Sequence, residues 1–274
     1  GTSRRVEEMV DLAFRSAGGL NNQLTWYDRN GKELGRIGEP GDYISPKLSP
    51  DGTRVAVYRT TGLGNPGDIW VFDLSRSTQT RLTFDAADDS GPLWSPDGSR
   101  IAFASTRNSS FGLYQRNSNG LGEDELLLKA GIGMVPEDWS LDGRFLVYMS
   151  TEAGGRDVWF LPLEADRKQV PYLHTKAAER HAQISPDGRW MAYASDESTA
   201  GVHQVYVQSF PASSGKWQVS TGGGVQPRWR HDGKELFYLA PDGKLMAVTV
   251  KAGASFEAGT PQALFQTQIF GLAT

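Results

Sequence analysis

The chain has 274 residues, a net charge of −4, 22% charged side chains and no cysteine. That balance leaves no basic footprint for nucleic acid, and the missing thiols exclude disulfides, cysteine nucleophiles and thiolate metal sites. No uninterrupted run of about eighteen apolar residues occurs, so nothing in the chain reads as a membrane-spanning helix.

In chain order, residues 1–20 lack a strand-and-turn pattern and carry Arg4-Arg5-Val6-Glu7-Glu8 where a turn-bearing strand would stand. They are read as an N-terminal extension or a degenerate strand, with Met9 to Phe14 as a second strand or a short helix. Gln23 to Asp28 and Leu34 to Ile37 then read as two strands joined by the turn Asn30-Gly31.

From about residue 44 to 265 one four-strand unit recurs five times. Its first copy runs Lys47-Leu48, then Arg54 to Tyr58 with period-two alternation, then Asp68 to Phe72, aromatic and β-branched, then Thr80 to Thr83. Short runs rich in Val, Tyr, Trp and Phe, bounded by Gly, Pro, Asn and Asp, are strands rather than helices. The hairpin between the first two strands is the clearest marker. It reads Ser49-Pro50-Asp51-Gly52, Ser95-Pro96-Asp97-Gly98, Ser140-Leu141-Asp142-Gly143, Ser185-Pro186-Asp187-Gly188 and Arg230-His231-Asp232-Gly233, with a period of 46 and then 45. A period of about 40 to 45 residues is that of a four-stranded propeller blade.

The recurring aspartates Asp51, Asp97, Asp142, Asp187 and Asp232 are assigned as turn residues rather than ligands. Proline presets φ, aspartate bonds its own backbone and glycine accepts positive φ, so turn chemistry alone explains their order. Trp94, Trp139 and Trp229 are assigned to packing between neighbouring sheets. Residues 21–274 are expected to form one all-β, six-bladed propeller of four-stranded antiparallel blades. Its closing blade would be split, the two strands near residues 22–38 joining an innermost strand from Gln266 to Phe270 and removing exposed sheet edges.

Catalytic signatures are absent from the sequence: there is no Gly-x-Ser-x-Gly elbow, His-Glu-x-x-His pair or phosphate loop. His174, His181, His203 and His231 are scattered. What varies from repeat to repeat is the segment leading into each innermost strand, expected at one mouth of the central channel. Variation there is what a site needs, whereas strands and turns recur because the scaffold needs them. The candidate ligand-binding residues are Tyr43, Asp88, Asp89, Met134, Glu179, Arg180, His181 and Gln226. No cofactor or metal is expected; the alternative is a divalent cation such as Ca²⁺ at that mouth, for which Asp85, Asp88 and Asp89 form the dense carboxylate cluster.

The Ser-Pro-Asp-Gly phrase, the following Arg and alternating strand, Asp68-Ile-Trp-Val-Phe-Asp73 and Arg81-Leu-Thr83 resemble the TolB-type, WD-like propeller. Gln23 to Lys32, Ile184 to Ser198, Val205 to Pro211 and Gln226 to Tyr238 are similar to propellers appended to bacterial serine/threonine protein kinases of the acidobacterial kind. That resemblance implies an extracytoplasmic, periplasmic sensor or scaffold module of a larger, membrane-anchored protein. The expected function is non-catalytic: a monomeric module binding a protein, a peptide or a small molecule. Two enzymatic readings stand beside it, a propeller hydrolase or lyase with its site in the channel mouth and the propeller of a prolyl-oligopeptidase-like peptidase.

Overall fold

The computed structural model describes residues 9–10 and 22–267, except 61, 63, 152–154, 165, 212–213 and 254. The chain divides into two compact units, one running to Pro136 and the other from Glu137 to Thr267.

The first unit opens with a three-stranded antiparallel sheet of β1 (Met9–Val10), β2 (Asn22–Asp28) and β3 (Glu33–Gly41). Two four-stranded blades follow. One holds β4 (Tyr43–Leu48), β5 (Arg54–Arg59), β6 (Asp68–Asp73) and β7 (Thr78–Arg81). The next holds β8 (Asp89–Trp94), β9 (Arg100–Ser105), β10 (Phe111–Asn117) and β11 (Glu125–Ala130). Each is a meander in which consecutive strands pair antiparallel.

The boundary between the units falls within β12 (Met134–Trp139), the innermost strand of the third blade. That blade continues in β13 (Phe145–Ser150), β14 (Asp157–Pro162) and β15 (Val170–Leu173). The fourth blade is β16 (Glu179–Ile184), β17 (Trp190–Ser195), β18 (Gln204–Ser209) and β19 (Lys216–Gln218). The fifth is β20 (Val225–Trp229), β21 (Glu235–Leu239) and β22 (Lys244–Ala252), with β23 (Phe256–Ala258) and β24 (Gln262–Gln266) sharing the outer edge of the long β22.

The fold is thus an all-β propeller of five four-stranded blades, which corrects the expected six. The sixth blade was to be completed by the carboxyl-terminal segment. Gln262 to Phe265 forms the expected fourth strand of the fifth blade, and Gln266 belongs to that same strand, β24, paired with β22, rather than opening a closing one. The amino-terminal strands make a sheet of three, with β1 beside β2 at Met9↔Asp28 and Val10↔Tyr27. Residues 268–270 of the expected closing strand, and residues 11–14, lie outside the described residues. The physical reason is local: a strand that follows a short connection pairs with the nearest unfilled edge, and β22 offers one.

The hairpins recur down to single atoms. In the first four, the serine hydroxyl donates to the aspartate Oδ1 at 2.5–2.7 Å and accepts the backbone N–H of the first residue of the following strand at 2.9–3.0 Å. The turn glycines take φ between 68° and 76°, a region open to glycine without steric cost. Bulky side chains pack between successive sheets. Ile69, Val71, Leu82, Trp94, Ile101 and Phe103 join the first two blades, and Val158, Phe160, Tyr172, Met191 and Tyr206 join the third and fourth. Buried Trp94 and Trp229 also donate Nε1–H to carbonyls of the preceding innermost strand, Lys47 at 2.9 Å and Gln183 at 3.1 Å.

Candidate functional site

The innermost strands of four blades break register just after their first residues. The shifts fall at Ile44/Lys47, Ser90/Leu93, Arg180/Gln183 and Val225/Arg228. At each break one residue enters the left-handed region: Ser45, Gly91, His181 and Gln226, with φ between 51° and 64°. Such bulges re-aim side chains and cluster near functional sites. For His181 and Gln226 the conformation also costs energy that neighbours must offset.

In the first unit the predicted residues are consumed by the scaffold. Tyr43 is buried, donates its hydroxyl to the Glu39 carbonyl at 2.8 Å and meets the Phe72 ring edge-on. Asp88 Oδ1 accepts the Tyr58 hydroxyl at 2.7 Å and the Gly67 N–H at 2.8 Å. Asp89 is fully buried, and one Arg107 nitrogen bonds both its carboxylate oxygens at 2.9 Å. Burial pushes the Asp89 carboxyl up, and the bonds from Ser105 and Arg107 pull against it. Arg107 also reaches Asp124 at 2.6 Å, and Asp124 binds Arg116 at 3.0 Å. Met134 is buried, and Asp85 caps Ala87 in its own exposed loop. The carboxylate triplet Asp85, Asp88, Asp89 therefore does not converge.

In the second unit the predicted residues remain underused. Glu179 is 1% exposed. Its Oε1 accepts the Thr175 hydroxyl at 2.5 Å, while Oε2 has no partner among the described residues. Burial raises its carboxyl to about 7; the nearby charges of Asp157, Glu197 and Asp196 add to the rise, and the Thr175 bond opposes it. Asp157, also buried, is bonded through Oδ2 to His174 Nδ1 at 3.1 Å and leaves Oδ1 without a partner. Buried Arg180 turns to His203 Nδ1 at 3.1 Å, and Arg180 Nε and His203 Nε2 are likewise unpartnered. Burial lowers both of these groups, and their mutual repulsion lowers His203 further.

His181 and Gln226 are linked at their bulges, the Gln226 N–H pointing at His181 Nδ1 at 3.4 Å. The strained His181 bulge is held by a residue missed in the sequence reading. Glu137 Oε1 accepts the His181 N–H at 2.5 Å, and Oε2 accepts the Ala182 N–H at 2.6 Å. The signal was present: an acidic side chain stands inside an innermost strand where the other repeats have proline or alanine. Asp157 and His203 were also missed, because Asp157 opens a third strand, His203 stands just before one, and both join the other residues only through tertiary contact.

Among the described residues no three His, Asp or Glu side chains stand together in a way that could hold a metal ion. An open groove of about 360 Å³ lies at the other end of β16, among the turn residues Pro186, Asp187, Arg189 and Asp232. No described helix is long and apolar enough to cross a membrane.

The chain is 26% identical to the "Uncharacterized peptidase YuxL" of Bacillus subtilis (strain 168), over 59% of this chain and 31% of that protein. It is 25% identical to the "Tol-Pal system protein TolB" of Francisella tularensis subsp. tularensis (strain WY96-3418), over 65% of this chain and 41% of that one. The chain thus spans less than half the length of these curated relatives. The structure of putative TolB from Agrobacterium tumefaciens superposes with a TM-score of 0.72 at 18% identity, covering 90% of each chain, a likeness of fold alone. The family model of the TolB β-propeller domain, PD40, matches residues 29–173, more than half of the sequence, and with the repeated blades just described it establishes that the chain belongs to the PD40 TolB β-propeller family.

Proposed function

We propose that this chain is a non-catalytic binding module of a larger bacterial protein, working outside the cytoplasm and engaging a protein or peptide through the leading ends of its second-unit innermost strands. One observation carries this reading. The hairpin aspartates satisfy their bonds locally, whereas Asp157, Glu179, Arg180 and His203 hold buried polar atoms without partners. Each such group costs free energy until something pairs with it, and an ionisable one costs most. The unpartnered atoms of the first unit belong to the neutral amides Asn22 and Gln115 and to Arg116, whose guanidinium is already held by Asp124. The similarity to a Tol-Pal system protein supports a binding role. The resemblance of Gln23 to Lys32 and Gln226 to Tyr238 to kinase-appended propellers supports a sensor or scaffold role beside a membrane.

The test is photo-crosslinking in the producing cell from a benzoyl-phenylalanine placed at Gln226 or at Leu141. A crosslinked species from Gln226 and none from Leu141 supports the reading; the reverse pattern overturns it. A second reading, favoured by the similarity to the B. subtilis peptidase, makes the chain the propeller of a longer peptidase. Labelling of the full-length gene product by a fluorophosphonate would support that one.

A further inference from the structure

The joint between the first two blades and the joint between the third and fourth use the same frame. Asp89 pairs with Ser105 in register, and Glu179 pairs with Ser195. Asp89 N–H donates to the Gly67 carbonyl at 2.9 Å, and Glu179 N–H to the Arg156 carbonyl at 2.7 Å. The third strand of the preceding blade starts in each case with an aspartate, Asp68 or Asp157, that faces the last residue of the second strand. Each joint therefore holds two carboxylates. In the first unit each has its arginine: Arg81 lies 2.8 Å from Asp68, and Arg107 lies 2.9 Å from Asp89. In the second unit Tyr172 stands near the place of Arg81 in its strand. Glu197 stands in the place of Arg107, its N–H on the Ser195 hydroxyl just as the Arg107 N–H is on Ser105, both at 3.3 Å.

We propose that the Asp157–Glu179 pair receives an organic cation bearing N–H donors, a guanidinium or primary ammonium group, in the role that Arg81 and Arg107 play for the equivalent carboxylates of the first unit. This rests on the binding-module reading and gives the chemistry of its ligand. Two oxygens, Asp157 Oδ1 and Glu179 Oε2, stand buried without a donor, and the Ser150 hydroxyl, cross-strand from Asp157, has none either. A water molecule would complete the hydrogen bonds but leave two adjacent negative charges. A guanidinium supplies donors and positive charge together, as Arg107 does between Asp89 and Asp124. Of the basic groups nearby, Arg180 is turned to His203 and Lys216 is bonded to Glu197. Arg156 acts on Arg180 and His203, and His174 meets the pair only at Asp157 Oδ2, leaving Asp157 Oδ1 and Glu179 Oε2 without a donor. Access lies through the exposed segment His174 to Lys176, whose Thr175 hydroxyl covers Glu179 and is displaced by the incoming donor.

The experiment is calorimetric titration of the chain at pH 8 with methylguanidinium, n-butylammonium, tetramethylammonium and Ca²⁺, at constant ionic strength. Saturable binding of the first two but not of tetramethylammonium is expected. Glu179→Gln and Asp157→Asn should each weaken it by about tenfold or more, the loss of one charge-assisted hydrogen bond. Glu197→Arg, which restores the first-unit arrangement, should abolish probe binding and raise Tm. A short arginine-containing peptide that binds at least about tenfold tighter than methylguanidinium would assign the cation to a protein partner, and equal affinity to a small cation. No saturable binding, binding indifferent to both carboxylate variants, or tighter binding of Ca²⁺ than of either organic cation overturns the proposal. Crosslinking from Gln226 that persists unchanged in Glu179→Gln would overturn this proposal while leaving the binding-module reading in place.

Discussion

Asp89 and Glu179 occupy the same position in blades two repeats apart, and they differ in what neutralises them. Asp89 is locked by Arg107 into a chain that runs on through Asp124 to Arg116. Glu179 has one hydroxyl donor and three acidic groups in its field, Asp157, Asp196 and Glu197. One repeat frame thus produces a finished structural ion pair in one place and an incomplete one in another. A buried charge with a partner is part of the scaffold, and a buried charge without one is a demand for a ligand or a proton. Repetition fixes the backbone, and single substitutions at equivalent positions then decide which joints are inert.

The largest expected effect breaks the finished side. Arg107→Ala leaves Asp89 buried without its cation and should cost about 3–5 kcal/mol in urea unfolding. A loss below about 1 kcal/mol, in the range of an exposed pair, would mean that the two joints do not differ in the way described.

The next prediction addresses the unfinished side through pH. The Glu179 carboxyl is raised to about 7 in the folded chain, well above its value of about 4.3 when unfolded. The folded state therefore binds the proton more tightly, and stability falls as pH rises from about 4 to above 7. Glu179→Gln removes that loss. It should stabilise the chain by about 2 kcal/mol at pH 8 and by nothing measurable at pH 4. Equal effects at both pH values would show that the buried charge is not the cause.

A smaller effect serves as the control. Asp97 lies in a first-unit hairpin and Asp187 in a second-unit one, each accepting a serine hydroxyl and a backbone N–H. Asp97→Ala and Asp187→Ala should each cost about 1 kcal/mol. The Asp97 carboxyl is held at about 2 by the Ser95 hydroxyl and the Ser99 N–H and hydroxyl, so its contribution should be complete above pH 4 and fade as pH falls through 2. Unequal costs for the two hairpins would trace the Asp89–Glu179 contrast to the units as wholes rather than to their joints.

The smallest effect comes from the irregular third hairpin. Leu141 is exposed and takes the place that proline fills in Ser95-Pro96-Asp97-Gly98, within the same turn closed by Gly143 N–H on the Ser140 carbonyl at 2.8 Å. Leu141→Pro should stabilise the chain by about 0.4–1 kcal/mol by restricting the unfolded state, read as a small rise in urea midpoint.

What the sequence alone determined is the local part of this protein. Ser-Pro-Asp-Gly closes its own hydrogen bonds within six residues, alternation such as Arg54-Val55-Ala56-Val57-Tyr58 makes a strand wherever it is placed, and the spacing of the hairpins gives the four-stranded repeat. The blade count and the site were decided by tertiary structure. Gln262 to Phe265 could be recognised from the repeat as the fourth strand of the fifth blade, but that Gln266 extends this strand beside β22 instead of opening a closing one depends on which edge is free there. The leading segments with Glu179, Arg180, His181 and Gln226 could be found by their variation between repeats. Glu137 could be noticed where the other repeats have proline or alanine, but its bonds to His181 and Ala182 could not, and Asp157 and His203 could not be found at all, since only tertiary contact sets them beside Glu179 and Arg180. Arg107 and Glu197 can be seen in the aligned repeats, but their meaning rests on the register that sets Asp89 against Ser105 and Glu179 against Ser195. Electrostatic neutralisation acts through space at a few ångströms, and only the fold brings those charges within that distance.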